Sequence, residues 1–140
     1  KSINTGNVGE KAAEQKLFLL REKIKAGALS SYVRQELISS LVNIGIFDKP
    51  LAVRSSATAE DSGQASFAGI HESYLNVLGT DNILSAIKGC FASLWSPRAV
   101  AYRRKMKIKD AAVSQAVVIM EMAEARPYWT PRPPLSKASL

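Results

Sequence analysis

Arg54 is followed at once by Ser55, Ser56, Ala57, Thr58 and Ala59, and within ten more residues by Ser62, Gly63, Ala65, Ser66, Ala68 and Gly69. Side chains this small let a ligand come close to the main-chain amides, and converging amides and hydroxyls bind anions. The guanidinium beside them is a planar fork of donors that matches the oxygens of a phosphate. A phosphate ester is therefore the simplest ligand for the segment. Read as plain structure, it is a polar surface loop in which Arg54 pairs with Glu60 or Asp61. Neither GxxxxGK[ST] nor GxGxxG occurs, so the two common nucleotide loops do not apply.

Other reactive residue types are sparse. His71 is the sole histidine and Cys90 the sole cysteine, which excludes an internal disulfide and a structural zinc cluster. Cys90 falls on the apolar side of a helical pattern, where a thiol is inert. Glu60 and Asp61 read as solvated, and no metal site is assigned. The basic run "RRKMKIKD", with Arg103, Arg104, Lys105, Lys107 and Lys109, reads as an exposed helix end. It contains no aromatic residue for base stacking, so nucleic acid is not the expected partner despite a net charge of +7. A basic nucleic-acid-binding or helical interaction module without catalysis is the alternative reading.

The elements that must position Arg54 follow from periodicity. Residues 7–26 read as a helix, with Asn7 and Glu10 as a capping box and Ala13, Leu17, Leu20 and Ile24 on one face. A second helix starts at Ser30 or Ser31, carries Val33, Leu37, Leu41 and Ile44, and stops at Gly45, making a helical hairpin. Leu51–Arg54 reads as a strand. Ser73–Val77 reads as another, with Tyr74 and Asn76 on one side and Leu75 and Val77 on the other. Thr80 or Asp81 caps a third helix with an apolar stripe of Leu84, Ile87, Phe91 and Leu94. Ser96-Pro97 opens a fourth helix running to about Ile108. Ala112–Met122 is β-branched and mostly apolar, as a buried strand would be. Four of the six prolines fall in "RPYWTPRPPLSKASL", which has no period and reads as a tail. With 140 residues, 46% hydrophobic and 22% charged, the chain suits one soluble domain. No apolar run is long enough for a membrane helix, so no membrane partner is expected and a cytoplasmic location is the default.

"AVRSSATAED…ASFAGIHESYLNV", followed by "FASLWSPRAVAYR", closely resembles the nucleotide-binding domain of the phosphoenolpyruvate synthase (pyruvate, water dikinase) family, whose relatives include pyruvate phosphate dikinase and rifampin phosphotransferase. The resemblance runs from about Leu51 to Ala125 and is looser upstream. It implies an α+β fold, a partial ATP-grasp-like domain over residues 1–125, with residues 126–140 a disordered or foreign tail. It implies ATP as ligand with Mg²⁺, and a parent enzyme that passes the β-phosphate of ATP to a histidine in another domain. On that resemblance Arg54 is catalytic and contacts the phosphates, Ser55, Ser56 and Thr58 are neighbouring donors, and Glu121, Met122 and Ala123 form the adenine-contacting hinge. His71 matches a strand entry and is given a structural role. Ile70 and Met120 stand where the family commonly has glutamine. The family's phosphate-binding lysine, metal ligands and acceptor domain have no counterpart here, so the isolated chain is expected to be catalytically incomplete, with the remaining domains of the parent as its partners.

Overall fold

The computed structural model describes residues 6–57 and 72–123. Its elements, in order, are α1 (Gly6–Ala26), α2 (Ser31–Asn43), β1 (Leu51–Ala57), β2 (Ser73–Val77), α3 (Thr80–Ser93), α4 (Pro97–Lys105), a 3-10 turn at Asp110–Ala112 and β3 (Gln115–Glu121). The three strands form one antiparallel sheet in the order β2-β1-β3. The chain is thus α+β, with helices gathered on one face of a small sheet.

β1 is three residues longer than its apolar pattern suggested. Its full length pairs with β3, from Leu51 opposite Glu121 to Ala57 opposite Gln115. Arg54, Ser55 and Ser56 therefore lie within a strand, their main chains engaged in a sheet. β3 is shorter than expected, because Ala112 belongs to the 3-10 turn before it.

β2 also departs from simple alternation. Leu51 pairs with Val77 but Val53 pairs with Tyr74, so Leu75 and Asn76 face a single residue, Ala52. Asn76 takes up the extra residue with φ of 54°, a left-handed conformation that asparagine tolerates better than most. The bulge turns Tyr74 and Val77 to the same, helix-covered side and leaves Leu75 exposed.

α3 covers that side. Ile83, Ile87 and Cys90 pack on Leu51, Val53 and Val77, joined by Leu41 of α2. The buried face is centred on these residues with Ala86, Gly89 and Ser93, rather than on the expected stripe; Ile87 is common to both, whereas Phe91 remains 39% exposed. Small residues allow helix and sheet to approach closely. A Cβ on Gly89 would overlap the hydroxyl and ring of Tyr74. Gly79, with φ of 80°, sits at the N-cap of α3, and Thr80 is the first helical residue instead of the cap.

Other caps follow the sequence. Ser30 Oγ accepts from the Val33 amide at 3.3 Å, and Ser96 Oγ accepts from Ala99 at 3.1 Å with Pro97 next in line. The Asn7 cap lies outside the described side chains. Gly45, with φ of 75°, ends α2: its amide donates to Val42 O and that of Ile46 to Leu41 O, a Schellman closure. α4 closes the same way at Lys107, whose amide donates to Arg104 O while Ile108 donates to Arg103 O. This ends α4 three residues earlier than periodicity indicated. On α2 only Leu41 is buried, and Val33 and Ile44 of the expected face are 48% and 65% exposed. The main helix packing is α1 against α3, rather than the α1–α2 hairpin anticipated.

Lys107 adopts φ of 56°, a conformation costly for a residue with a Cβ. Lys107→Gly is expected to raise stability by about 0.5–1 kcal/mol in urea denaturation. Gly89→Ala is expected to lower it by about 1–3 kcal/mol, because the clash with Tyr74 outweighs the roughly 1 kcal/mol gain in helix propensity.

Candidate functional site

Alternation along β1 sends Leu51, Val53 and Ser55 toward α3, and Ala52, Arg54 and Ser56 to the opposite face. Directly paired residues share a face, so Arg54 is flanked by Val118 of β3 and Ser73 of β2, with Met120 beside Ala52 and Ala116 beside Ser56. No described helix covers this side. Arg54 is exposed, and Leu75, Val118 and Met120 around it are 59%, 41% and 42% exposed. A cation thus projects from the middle of a partly apolar, open sheet face. Among the described residues it has no carboxylate partner. Glu60, Asp61 and Thr58 lie outside the described residues, as does His71.

Ser56 shares the face of Arg54. Ser55 points the other way: its Oγ is buried on the helix side and has no hydrogen-bond partner among the described residues. The two serines therefore cannot both offer hydroxyls to one ligand on the open face.

Glu121, Met122 and Ala123 lie at the far end of β3. The Glu121 carboxylate accepts from Lys49 Nζ at 2.8 Å, and the Met122 amide donates to Pro50 O at 2.9 Å, extending the ladder one residue beyond β1. Three residues of strand separate the Leu51–Glu121 pair from the Arg54–Val118 pair, about 10 Å at about 3.4 Å per residue. Val118 and Met120 provide an apolar floor between the two ends. No group of three or more His, Cys, Asp or Glu side chains that could hold a metal ion occurs among the described residues. A separate cleft of about 450 Å³ follows β2 and the first turns of α3 and does not include Arg54.

The covered side of the sheet carries polar interactions that sequence periodicity does not reveal. Arg21 of α1 donates to Glu72 Oε1 at 3.3 Å, the Tyr74 hydroxyl donates to Glu72 Oε2, and the Cys90 sulfur lies 3.8 Å from the carbonyls of both Val53 and Glu72. Burial, then the bond to Glu72, pushes the Tyr74 hydroxyl far above the usual tyrosine range. Burial likewise pushes the Cys90 thiol up to about 11, with the Glu72 charge adding to it, so the thiol is protonated and unreactive at neutral pH. The available signal was Gly89, a glycine inside a helical pattern, which usually marks a close approach.

Arg103, expected on an exposed helix end, is only 1% exposed. Its Nε donates to Asp110 Oδ1 at 2.7 Å and its Nη1 to Leu94 O at 2.6 Å, and the guanidinium lies 5.4 Å from the Trp95 ring centroid. Gln115 Nε2 donates to Cys90 O at 2.6 Å. These two side chains satisfy carbonyls at the C-terminus of α3 and tie it to α4 and β3. The rest of the run, Arg104, Lys105, Lys107 and Lys109, is exposed.

An α+β unit with a helix-backed sheet and, on its open face, an arginine without a carboxylate partner among the described residues is the class that fold and site define. The chain belongs to the family described as pyruvate phosphate dikinase, AMP/ATP-binding domain, whose family model matches residues 1–136. It is 37% identical over 121 residues to a phosphoenolpyruvate synthase of Aeropyrum pernix, covering 84% of this chain and 14% of the relative. A phosphoenolpyruvate synthase of Aquifex aeolicus is 52% identical over 75 residues, covering 54% of this chain and 9% of the relative. A rifampicin phosphotransferase of Bacillus cereus is 38% identical over 115 residues, covering 74% and 13%. The chain thus spans about one seventh or less of the length of these relatives. It is a dikinase-type ATP-binding domain segment, and no helix of the described residues is long and apolar enough to cross a membrane.

The unfolded chain loses its thiol proton near pH 8.5, whereas folded Cys90 keeps it to about 11. The folded state binds more protons in that window, so this contribution is complete below about pH 8.5 and is lost as pH rises through 11. Thermal unfolding is expected to show a steeper loss of stability from pH 8.5 to 11 in the wild type than in Cys90→Ala.

Proposed function

We propose that this chain supplies part of the ATP-binding surface of a dikinase-type phosphotransferase with an ATP-grasp-like fold. Arg54 is the electrostatic clamp on the polyphosphate, adding charge-assisted hydrogen bonds where negative charge is densest. Ser56 adds a hydroxyl on the same face, and Thr58 follows it in sequence. Ser55 contributes through the strand it continues, its hydroxyl being turned to the helix side. Residues 121–123 receive the base. Lys49 occupies the Glu121 carboxylate and Pro50 the Met122 amide, so base contacts fall to the remaining main-chain groups of this segment.

The carrying observation is Arg54 itself, projecting without a carboxylate partner among the described residues from an open sheet face, in a chain of an AMP/ATP-binding family. The relatives named phosphoenolpyruvate synthase and rifampicin phosphotransferase support transfer of phosphate from ATP in the parent protein. In this reading the phosphate passes to a histidine outside the chain, Mg²⁺ ligands come from other parts of the parent, and the remaining domains are the partners. The location is cytoplasmic. The acceptor molecule is chosen elsewhere in the parent.

Calorimetric titration of ATP and AMP, with and without Mg²⁺, tests this. ATP is expected to bind more tightly than AMP, and Arg54→Ala to weaken ATP about 10- to 100-fold while changing AMP little. Equal affinity for ATP and AMP, or an unchanged ATP affinity in Arg54→Ala, would overturn the reading.

A further inference from the structure

The ladder between β1 and β2 ends at Arg54. Among the described residues, Leu51, Val53 and Arg54 have partners in β2, the last being Ser73, whereas Ser55, Ser56 and Ala57 pair with β3. Among the described residues Arg54 is thus the last of β1 held from both sides, and the ends of such ladders fray most readily. On the covered side of this junction the structure concentrates its polar contacts. Glu72, the residue before β2, takes Arg21 of α1 on one carboxylate oxygen and Tyr74 on the other. The Tyr74 ring occupies the space that the missing side chain of Gly89 leaves on α3. The Cys90 sulfur stands between the carbonyls of Val53 and Glu72, one from each strand.

Ion pairing alone gives little reason for this arrangement. The Arg21 and Glu72 side chains are 22% and 43% exposed, and partly hydrated pairs contribute little to stability. Their placement says more. Three elements, α1, β2 and α3, meet within one residue of Ser73, the strand neighbour of Arg54. We propose that Arg21, Glu72 and Tyr74 are positioning residues for Arg54, holding the first residues of β2 in place so that β1 presents the guanidinium at a fixed point of the open face. The proposal rests on the reading of Arg54 as a polyphosphate clamp. None of the three touches ligand, since Tyr74 and its partners lie on the other side of the sheet.

A double-mutant cycle separates positioning from general stability. Inorganic tripolyphosphate and ATP would be titrated into the full chain carrying Tyr74→Phe, Arg21→Met or Arg21→Lys, each with Arg54 present and with Arg54→Ala. Tyr74→Phe and Arg21→Met are expected to weaken tripolyphosphate binding roughly three- to tenfold when Arg54 is present, and to change nothing further when it is absent. Arg21→Lys, which keeps a cation opposite Glu72, is expected to recover most of the affinity. Glu72→Gln, which keeps the shape and an acceptor for Tyr74, serves if Tyr74→Phe does not fold, with the same outcomes expected. Equal losses in both backgrounds, or no loss in either, would overturn the positioning role while leaving the clamp intact. An Arg54→Ala variant that binds tripolyphosphate as well as the wild type overturns both.

Discussion

Two-sided pairing of β1 is the constraint from which the described structure follows. The strand is central, bonded to β3 along its whole length and, among the described residues, to β2 over its first half. That fixes which side chains meet α3 and which do not, since neighbours on a strand must project oppositely. Leu51 and Val53 are fully buried beneath α3, and Arg54 is thereby committed to the uncovered face. The buried apolar cluster and the candidate phosphate contact are two consequences of one register.

The open face has a particular character because of what surrounds the cation. Val118, Met120 and Leu75 are apolar, while Ser56 and Ser73 are small and polar. Exposed apolar side chains thus surround a guanidinium that has no carboxylate partner among the described residues, and a ligand with a flat apolar ring at one end and negative charge at the other matches such a face in both respects. The opposite side of the sheet is arranged for permanence. There a buried arginine and a glutamine donate to carbonyls at the C-terminus of α3, and a tyrosine donates to the half-exposed Glu72 carboxylate.

Much of this was legible in the residues. Ser30, Gly45, Ser96 and Pro97 marked helix ends through local hydrogen-bond chemistry, which acts within a few residues and needs no knowledge of the fold. Arg54 stood out for the same reason. What periodicity missed depends on contacts between distant segments. Ser55 and Ser56 look like loop until β3, some sixty residues later, supplies their ladder. Phe91 looks more buried than Ile83 until small side chains decide which flank of α3 can approach the sheet. Tyr74 and Val77 share a face only because Asn76 accepts a left-handed conformation, and Arg103 is buried because Asp110, Leu94 and Trp95 converge on it.

Pro50 gives the sheet a fixed starting mark. It accepts from the Met122 amide but has no N–H to return, so the ladder with β3 loses its reciprocal bond at this residue. If the two strands slid by one position so that Pro50 moved inward, the ring would meet a carbonyl that expects a donor, and every side chain of β1 would exchange sides. A guanidinium would then enter the core and a valine would face water. Proline at the head of the strand thus works as a mechanical end-stop against that misalignment, giving up one bond at the margin of the sheet where a shifted register would give up one inside it.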